Sequence, residues 1–587
     1  MGDLVPRALV LGLFLLLHAI TSPNYLGDTV RYGSEVVRHA SGQPVPFWEF
    51  GHLLWRPWGY FGLAAFGGWF QHAFGDTPLQ ATVRFLTASS FLFSCLSLLL
   101  LCTLARRISG RAATVAGGLA IAGTNAFLNY SRSGSSYMAA FFWLVAALWA
   151  LDRGIAGGKS SVFWPIAAGA SFGLSAGCWF PFAVSGLGVI CFALLWNRTE
   201  LKLRDGEARR RWRMLAVFLV TLVVGTSLIF ALGAKLEGIG SASEFTQWIK
   251  DSDNGWAQSM TAVRLVTGLP RCFYDLGPDT VALKRYFFHD PYNPVGLTQL
   301  MGAMAVKLGC YYGFAFVLLL SLSLAARLRP LLAIGLSAAI PYLLFAVFVF
   351  EPSSPERFLP TLPFLGVAVA GALNAWRGRA LAAALAVLAL CPLVPNILSM
   401  QRRQAGARWH AARLRTAALD RQVNSRAQVF VLSLRDDVYL LPLTRPLDRS
   451  PSGHRLEFVD VAEIGSQRIA HWRREFCERT LAAWGQGEEV WISTRLTATR
   501  PESSWQWVEG DSPLIRWSDL PAFFGPLETN GQANVPGDGF LRVAPSEANR
   551  ANFQRFLNPE TTAGRAPARR PGPAERSTSP IRLSPAA

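Results

Sequence analysis

Apolar runs long enough to cross a membrane constrain this chain more than any other feature. They fill the first two thirds of the 587 residues, and only 16% of all residues are charged, against roughly a quarter in an ordinary soluble domain. A helix needs about 17 to 25 residues to cross a hydrocarbon core of about 30 Å, and it must pair every backbone polar group internally. The runs therefore predict a mainly α, polytopic membrane protein with about eleven spans. The predicted spans are Leu9–Ile20, Phe85–Leu104, Ala113–Leu128, Tyr137–Leu151, Val162–Ala176, Trp179–Trp196, Met214–Leu232, Leu308–Ala325, Leu331–Phe350, Phe358–Ala375 and Leu381–Leu398.

Basic residues gather in alternate loops. The net charge of +18 would fit nucleic-acid binding, but this distribution is the positive-inside pattern of membrane proteins, so nucleic acid is not an expected partner. It predicts a cytoplasmic N-terminus and, after eleven crossings, a periplasmic C-terminal part of a bacterial inner-membrane protein. No small-x-small cleavage site follows the first run cleanly, so we interpret that run as an uncleaved helix. The basic loops are Ala105–Arg111, Asn197–Arg213, Ala326–Pro330 and Trp376–Arg379.

Two outer segments are long, Thr21–Arg84 and Gly233–Lys307, and loops of this length are usually functional. In the first, "DTVRYGSEVVRHASG" is typical of a short helix with Asp28 as its N-cap and Gly42 just beyond its end. The following "VPFWEFGHLLWRPWGYFGLAAFGGWF" predicts an amphipathic, Trp-rich helix at the membrane interface.

The composition changes after Leu398 to that of a water-soluble domain. Strands are predicted at Gln428–Leu434, Leu456–Val461 and Glu489–Thr494, with a helix over Ile464–Trp484. We therefore expect a membrane domain over 1–400 and a periplasmic α/β domain over 401–560. The Pro- and Arg-rich tail over 561–587 is expected to be disordered.

Polar side chains concentrate at the predicted outer rim, because the spans hold almost no ionisable residues. The rim patches are the opening segment, "NYSRSGSSY" (Asn129–Tyr137) and "EPSSPERFLPTLP" (Glu351–Pro363). All three should open on the same face of the membrane.

These patches resemble motifs of the GT-C superfamily of membrane glycosyltransferases, whose donors are polyprenyl-phosphate-linked sugars. "YLGDTVRY" puts Asp28 where those enzymes carry an acidic residue, and "FWEFGHLLWRP" and "PERFLPTLPFL" are similar to two motifs of their mannosyltransferases. Two departures leave the sugar open: Thr29 replaces the usual second acidic residue, and "SSPERF" lacks a basic lead-in. The resemblance implies a hexosyl or pentosyl transferase with a lipid, glycan or protein acceptor and no further cofactor.

Acidic and basic residues of this kind are what a sugar transfer with inversion requires. A carboxylate must take the proton of the acceptor hydroxyl, and Asp28 is the candidate. The departing lipid phosphate needs a cation, and a guanidinium can meet it with two parallel hydrogen bonds. Arg56 and Arg357 are the candidates for this role.

Several assignments have structural alternatives. Asp28 could serve only as a helix N-cap. Glu49, His52 and Arg56 share one face of the predicted interfacial helix, which is either a solvated face or a polar wall of the donor site. A single Glu-x-x-His is a weak metal motif, so no metal ligand is assigned.

The remaining candidates also have two interpretations. Glu356 and Arg357 could form an exposed ion pair in a turn. Arg132 and Tyr137 could contact sugar or phosphate, although a tyrosine at the rim is more often an interface anchor. The segment Cys272–Pro294, with Lys284, Arg285, His289 and Asp290, is more often structural than catalytic.

Two other functional classes compete with a transferase. A transporter or lipid flippase would require broken helices in matched halves and polar groups at mid-membrane. A scaffold would depend entirely on its soluble C-terminal domain.

Overall fold

A computed structural model gives the architecture. The residues it describes are 4–21, 28–42, 45–74, 78–157, 162–201, 205–251, 262–274, 286, 294–349, 355–375, 393–400, 418–423, 426–431, 456–461, 472–499, 518–535 and 538–558. The tail over 561–587 and the residues Lys284, Arg285, His289 and Asp290 lie outside this range.

The chain divides into two compact units. One comprises Met1–Leu419 with the segments Ser433–Gly453 and Arg500–Asp511, and the other comprises Asp420–Leu432, His454–Thr499 and Ser512–Ala587. The first unit is helical and the second contains a sheet. The helices of the first unit are α1 (Leu4–Ile20), α2 (Thr29–Ala40), α3 (Trp55–Phe74), α4 (Pro78–Ile108), α5 (Arg111–Ala122), α6 (Asn125–Tyr130), α7 (Tyr137–Ala156), α8 (Phe163–Cys178), α9 (Gly186–Leu195), α10 (Asp205–Leu236), α11 (Ala242–Asp251), α12 (Ala262–Phe273), α13 (Leu297–Leu324), α14 (Arg329–Phe348), α15 (Leu362–Ala375) and α16 (Leu393–Ser399).

Six helical segments within the described residues are long and apolar enough to cross a membrane. They are Pro78–Ile108, Tyr137–Ala156, Gly206–Leu236, Met304–Leu324, Ala326–Ala346 and Pro355–Asn374. Shorter apolar helices cover Leu4–Ile20, Arg111–Ala122 and Phe180–Leu195. The protein is therefore a polytopic helical membrane protein. Most of the predicted span Leu381–Leu398 lies outside the described residues, so the number eleven stays a prediction.

Two predicted spans are interrupted. The third ends at Ala122, and Thr124 then starts α6 by accepting a hydrogen bond from Phe127 N at 3.3 Å. The sixth begins as a 3-10 helix over Phe180–Ser185, because Trp179 is extended and ends α8. Both interruptions lie next to the polar rim segments described below.

Close helix packing depends on small residues. A Cβ added at Gly169 in α8 would lie 2.7 Å from the Phe218 carbonyl oxygen in α10, and one at Gly188 in α9 would lie 2.5 Å from Ala338 Cβ in α14. Such close approach lets dispersion forces hold membrane helices together where lipid offers no hydrophobic drive.

The first outer segment follows the prediction only in part. Helix α2 forms, and Gly42 follows it with a φ of 74°. The predicted continuous helix after it is wrong at its start: Glu49 is extended, Phe50–His52 is a 3-10 turn, and α3 begins only at Trp55. Residues far along the chain form hydrogen bonds with the backbone of Trp48. Its N–H donates to Glu237 Oε2 and its carbonyl accepts from Trp248 Nε1, both at 2.8 Å.

The second unit is a small α/β domain. Its strands are β1 (Ala427–Val431), β2 (Leu456–Asp460), β3 (Glu489–Ser493), β4 (Thr529–Val535) and β5 (Asp538–Val543), and its helices are α17 (Trp472–Gly485), α18 (Asp519–Phe524) and α19 (Glu547–Leu557). The strand order is β2-β1-β3-β5-β4. Strand β1 is parallel to β2 and β3, whereas β5 is antiparallel to β3 and β4. The hairpin of β4 and β5 was not predicted.

Candidate active site

The Asp28 carboxylate is not used to cap its helix. Asp28 occupies the N-cap position of α2, but its side chain makes no capping hydrogen bond. Its backbone carbonyl accepts from Tyr32 N at 2.9 Å, and its Oδ2 atom lies 3.5 Å from the Tyr32 hydroxyl. The carboxylate is therefore available to a further partner.

Arg56 is the centre of a buried charge network. Its side chain is 0% exposed and forms ion pairs with Glu35 and, at 2.5 Å, with Glu49. Glu35 also pairs with Arg31 one helical turn earlier, at 3.1 Å. The Arg56 guanidinium lies over the ring of Tyr32, 4.9 Å from its centroid. The network thus joins α2, the extended residue Glu49 and the start of α3.

Opposite charges fix the protonation of this network. Burial would raise the pKa of Glu49, but Arg56, His52 and Arg31 outweigh burial and hold it at about 2. Burial would lower the pKa of Arg56, but Glu49 and Glu35 raise it above its ordinary value. Both groups are therefore charged at neutral pH.

His52 lies between this network and the rest of the site. Its Nδ1 atom is 2.8 Å from Ser136 Oγ, and its ring centroid is 5.4 Å from that of Tyr32 and 6.1 Å from that of Tyr137. Burial lowers the pKa of His52 to about 4, against the opposing effect of Glu49. The imidazole is therefore neutral at pH 7 and can either donate or accept a hydrogen bond.

The buried loop between α6 and α7 ties three helices together. Gly134 in this loop has a φ of 74°, and a Cβ there would lie 2.5 Å from Thr29 Cγ2. Three consecutive backbone carbonyls accept hydrogen bonds from side chains of α2, α3 and α4. The donors are Thr29 Oγ1 to Ser133, Trp55 Nε1 to Gly134 (2.9 Å) and Ser90 Oγ to Ser135 (3.0 Å).

The late outer turn is buried. Pro355–Thr361 is a 3-10 segment in which Glu356 is 6% and Arg357 9% exposed, so the alternative of an exposed ion pair is wrong. Tyr130 donates a hydrogen bond to the Glu356 carboxylate. Arg357 Nε lies 3.7 Å from Glu356 Oε1, and its guanidinium lies 5.9 Å from the ring centroid of Trp179.

The late turn influences the ionisation of Asp28. Burial raises the pKa of Asp28; Arg31 and Arg357 oppose this effect, and Glu356 and Glu49 add to it. The late turn is therefore within electrostatic reach of the Asp28 carboxylate.

Arg132 and Tyr137 have different environments. Arg132 donates to the Thr21 carbonyl at 2.6 Å and to Thr21 Oγ1 at 2.9 Å, so it holds the end of α1. Tyr137 is 4% exposed, and its ring centroid lies 4.9 Å from that of Tyr130 and 4.5 Å from that of Trp179. It packs in the wall of the site instead of a headgroup belt.

Solved structures match this architecture. ArnT from Cupriavidus metallidurans in the apo state gives a TM-score of 0.54 at 15% identity, covering 93% of this chain and 98% of that one. ArnT bound to undecaprenyl phosphate gives 0.50 at 15% identity with the same coverage. The archaeal oligosaccharyltransferase AglB from Archaeoglobus fulgidus, in complex with an inhibitory peptide and a dolichol-phosphate, gives 0.43 at 14% identity over 92% and 74%. No protein-family model and no curated protein matches the sequence.

The ArnT match extends over nearly the whole of both chains. The chain has the GT-C fold. At this level of identity the match establishes architecture alone, and the roles of individual side chains depend on the geometry above.

Sequence reasoning missed several residues that complete the site in this GT-C fold. The ion pair of Arg31 and Glu35 could have been predicted, because oppositely charged residues four apart on a helix often pair. Tyr130 belongs to the predicted rim motif that also contains Tyr137. Trp179 and Tyr342 lie in or beside apolar runs, where nothing in the pattern separates them from core residues.

The described charged groups of the candidate site are four carboxylates and three guanidinium groups. Among the residues that the structure describes, no group of three or more His, Cys, Asp and Glu side chains could hold a metal ion. The arrangement provides a carboxylate that can accept a proton and, within its electrostatic influence, the guanidinium of Arg357. The charged groups are Asp28, Glu35, Glu49, Glu356, Arg31, Arg56 and Arg357.

Proposed function

We propose that this protein is an inverting glycosyltransferase that moves a sugar from a polyprenyl-phosphate donor to a hydroxyl group of a lipid, glycan or protein. One observation carries the proposal: the Asp28 carboxylate makes no capping bond and lies within electrostatic reach of Arg357. The undecaprenyl phosphate bound to ArnT supports the choice of donor class. The transfer takes place on the periplasmic face of a bacterial inner membrane.

In the proposed reaction Asp28 is the general base. Its carboxylate takes the proton of the acceptor hydroxyl while the hydroxyl oxygen forms a bond to the anomeric carbon of the sugar. The bond from that carbon to the phosphate oxygen breaks on the opposite side, and the electron pair leaves with the lipid phosphate. General-base assistance of this kind contributes about 10²–10⁴-fold to a rate.

Arg357 meets the charge that develops on the leaving phosphate. Its guanidinium can offer two parallel N–H donors to phosphate oxygens, and such interactions strengthen in a buried site. Arg56 was the other candidate from sequence, but two carboxylates already compensate its charge. We assign Arg56 a positioning role: it fixes α2, which begins beside Asp28.

The lipid requirement explains why polar chemistry lies at the rim. The polyprenyl tail lies along apolar helices, while its phosphate stays at headgroup level and the acceptor hydroxyl arrives from water. His52 packs against Tyr137 and against Tyr32, whose hydroxyl lies 3.5 Å from Asp28 Oδ2, and we assign His52 and Tyr137 to the sugar contact. The proposed topology has eleven spans, a cytoplasmic N-terminus and a periplasmic C-terminal part.

Release of polyprenyl phosphate tests the proposal. The purified protein in lipid nanodiscs is given candidate polyprenyl-phosphate sugars and acceptors, and free lipid phosphate is measured. Asp28→Asn should lower its release by about 10²–10⁴-fold because an amide cannot take the proton. Glu244→Gln, which changes an exposed acid in the first turn of α11 and keeps an oxygen that can accept from Gly240 N and Ser241 N, is the control and should leave release unchanged.

Retained release by Asp28→Asn would remove the catalytic role of that residue. A flippase would instead move the intact lipid-linked sugar across the bilayer without releasing lipid phosphate, so the same assay separates the transporter alternative.

A further inference from the structure

A second tyrosine beside the late turn has no hydrogen-bond partner among the residues that the structure describes. Tyr342 lies in α14, is 0% exposed, and its hydroxyl is buried without a partner in the described part of the chain. Its ring centroid is 6.4 Å from that of Phe358, the residue after Arg357. Tyr130 in the same site differs, because its hydroxyl donates to Glu356.

An unsatisfied buried hydroxyl needs an explanation. Leaving such a group without a partner is costly, and most buried side-chain polar atoms in native structures have one. Replacing Tyr342 by Phe would keep the ring contacts with Phe345 and Phe358 and remove the cost. Within the described residues, the hydroxyl therefore has no structural partner that would offset the cost of burying it.

The surroundings of Tyr342 indicate what its partner would be. The hydroxyl interacts electrostatically with Arg357 and Glu356. It lies six residues before the end of α14, about 9 Å along the helix axis. The 3-10 segment Pro355–Thr361, which carries Glu356 and Arg357, is the next described element after α14 in the chain. A buried O–H donor within electrostatic reach of a guanidinium suits the phosphate of a lipid.

We propose that the Tyr342 hydroxyl donates a hydrogen bond to the phosphate group of the polyprenyl-phosphate ligand that Arg357 binds. The inference rests on the proposed function and adds a second phosphate contact to it. The tyrosine keeps its proton throughout, because the proton of the acceptor goes to Asp28. Its hydrogen bond strengthens as negative charge develops on the leaving oxygen.

Tyr342→Phe tests this contact in the full-length protein in nanodiscs. We expect release of lipid phosphate to fall by about 10²-fold, as when one donor to a developing oxyanion is removed, with an unchanged or higher melting temperature. Thr226→Val is the matched control, since Thr226 in α10 also has a buried hydroxyl without a partner. It should keep full activity.

Undiminished release of lipid phosphate by Tyr342→Phe would overturn the inference. A lower melting temperature of this variant without ligand would also overturn it, because it would show that the hydroxyl has a structural partner such as a bound water.

A binding measurement separates this inference from the proposed function. Undecaprenyl phosphate should raise the melting temperature of the wild-type protein, and Tyr342→Phe should weaken that increase, whereas inorganic phosphate should have little effect on either. If these results hold and no sugar donor is turned over, the phosphate contact stands and the transferase proposal fails. If undecaprenyl phosphate raised the melting temperatures of the wild type and of Tyr342→Phe equally, the phosphate contact would be wrong and the transferase proposal would be unaffected.

Discussion

The environment of Asp28 sets how the protein should respond to pH. Burial raises the pKa of this carboxylate, and the neighbouring Glu356 and Glu49 raise it further. A general base works only when deprotonated, so activity should fall as pH drops through this elevated pKa. Glu356→Gln keeps an acceptor for Tyr130 but removes one negative charge, so it should lower the pKa of Asp28.

The measurement is the pH profile of kcat/KM for both proteins. We expect the acidic limb of Glu356→Gln to lie at lower pH than that of the wild type. If the acidic limbs of the two pH profiles coincide, then either the charge of Glu356 does not affect the pKa of Asp28 or a group other than Asp28 determines the acidic limb.

The two arginines proposed for different roles should respond differently to the same change. Arg56→Gln leaves Glu49 buried without its cation and leaves Glu35 with Arg31 as its partner, and breaking a buried pair costs about 3–5 kcal/mol. Arg357→Gln removes the cation that meets the phosphate, so it should lower kcat with a smaller loss of stability. Thermal unfolding and lipid-phosphate release, measured on both variants, check this contrast. A stable but inactive Arg56→Gln would reverse the two assignments.

At the scale of elements, the loop between α6 and α7 is a test of how the first outer segment is held. Gly134 and Gly42 both have a φ of 74°, but only at Gly134 would an added Cβ meet another atom, 2.5 Å away on Thr29. Gly134→Ala should therefore destabilise the protein more than Gly42→Ala, which carries the backbone strain alone. Melting temperatures of the two variants provide the comparison, and equal losses would mean that the contact with α2 does not matter.

Much of the element pattern can be predicted from the sequence because it depends on local periodicity. Apolar runs predicted the long helices, Gly42 predicted the end of α2, and alternation predicted β1 to β3. The 3-10 turn at Phe50–His52 could not be predicted, because Glu237 and Trp248 engage the backbone of Trp48 from far along the chain. Strand β4 was missed because exposed polar residues dominate it.

The candidate site could be predicted as a set of rim segments but not as a set of contacts. Composition identified Asp28, Glu49, Arg56 and Arg357 as polar residues next to apolar runs. Which charges neutralise one another depends on the arrangement of α2 against α3, which no local pattern contains. For the same reason, the sequence could not show that Tyr130 donates a hydrogen bond to Glu356.

At the scale of the whole molecule, the long helix α10 makes the topology testable. Its 32 residues extend over about 48 Å, enough to cross the bilayer with its headgroups. If the N-terminus is cytoplasmic, alkaline phosphatase fused after Gly238 should be active in cells, and the same enzyme fused after Leu201 should be inactive, because it folds only in the oxidising periplasm. The reverse pattern would place the Asp28 carboxylate in the cytosol and end the present functional proposal.

The site is assembled from residues near the two ends of the membrane unit's sequence. Glu35, Glu49 and Arg56 all emerge early in synthesis and can neutralise one another at once. Glu356 and Arg357 arrive only with one of the last membrane helices. A nascent chain should therefore form its early ion pairs before the candidate site is complete, so that the proposed activity is acquired only when insertion into the membrane is nearly finished.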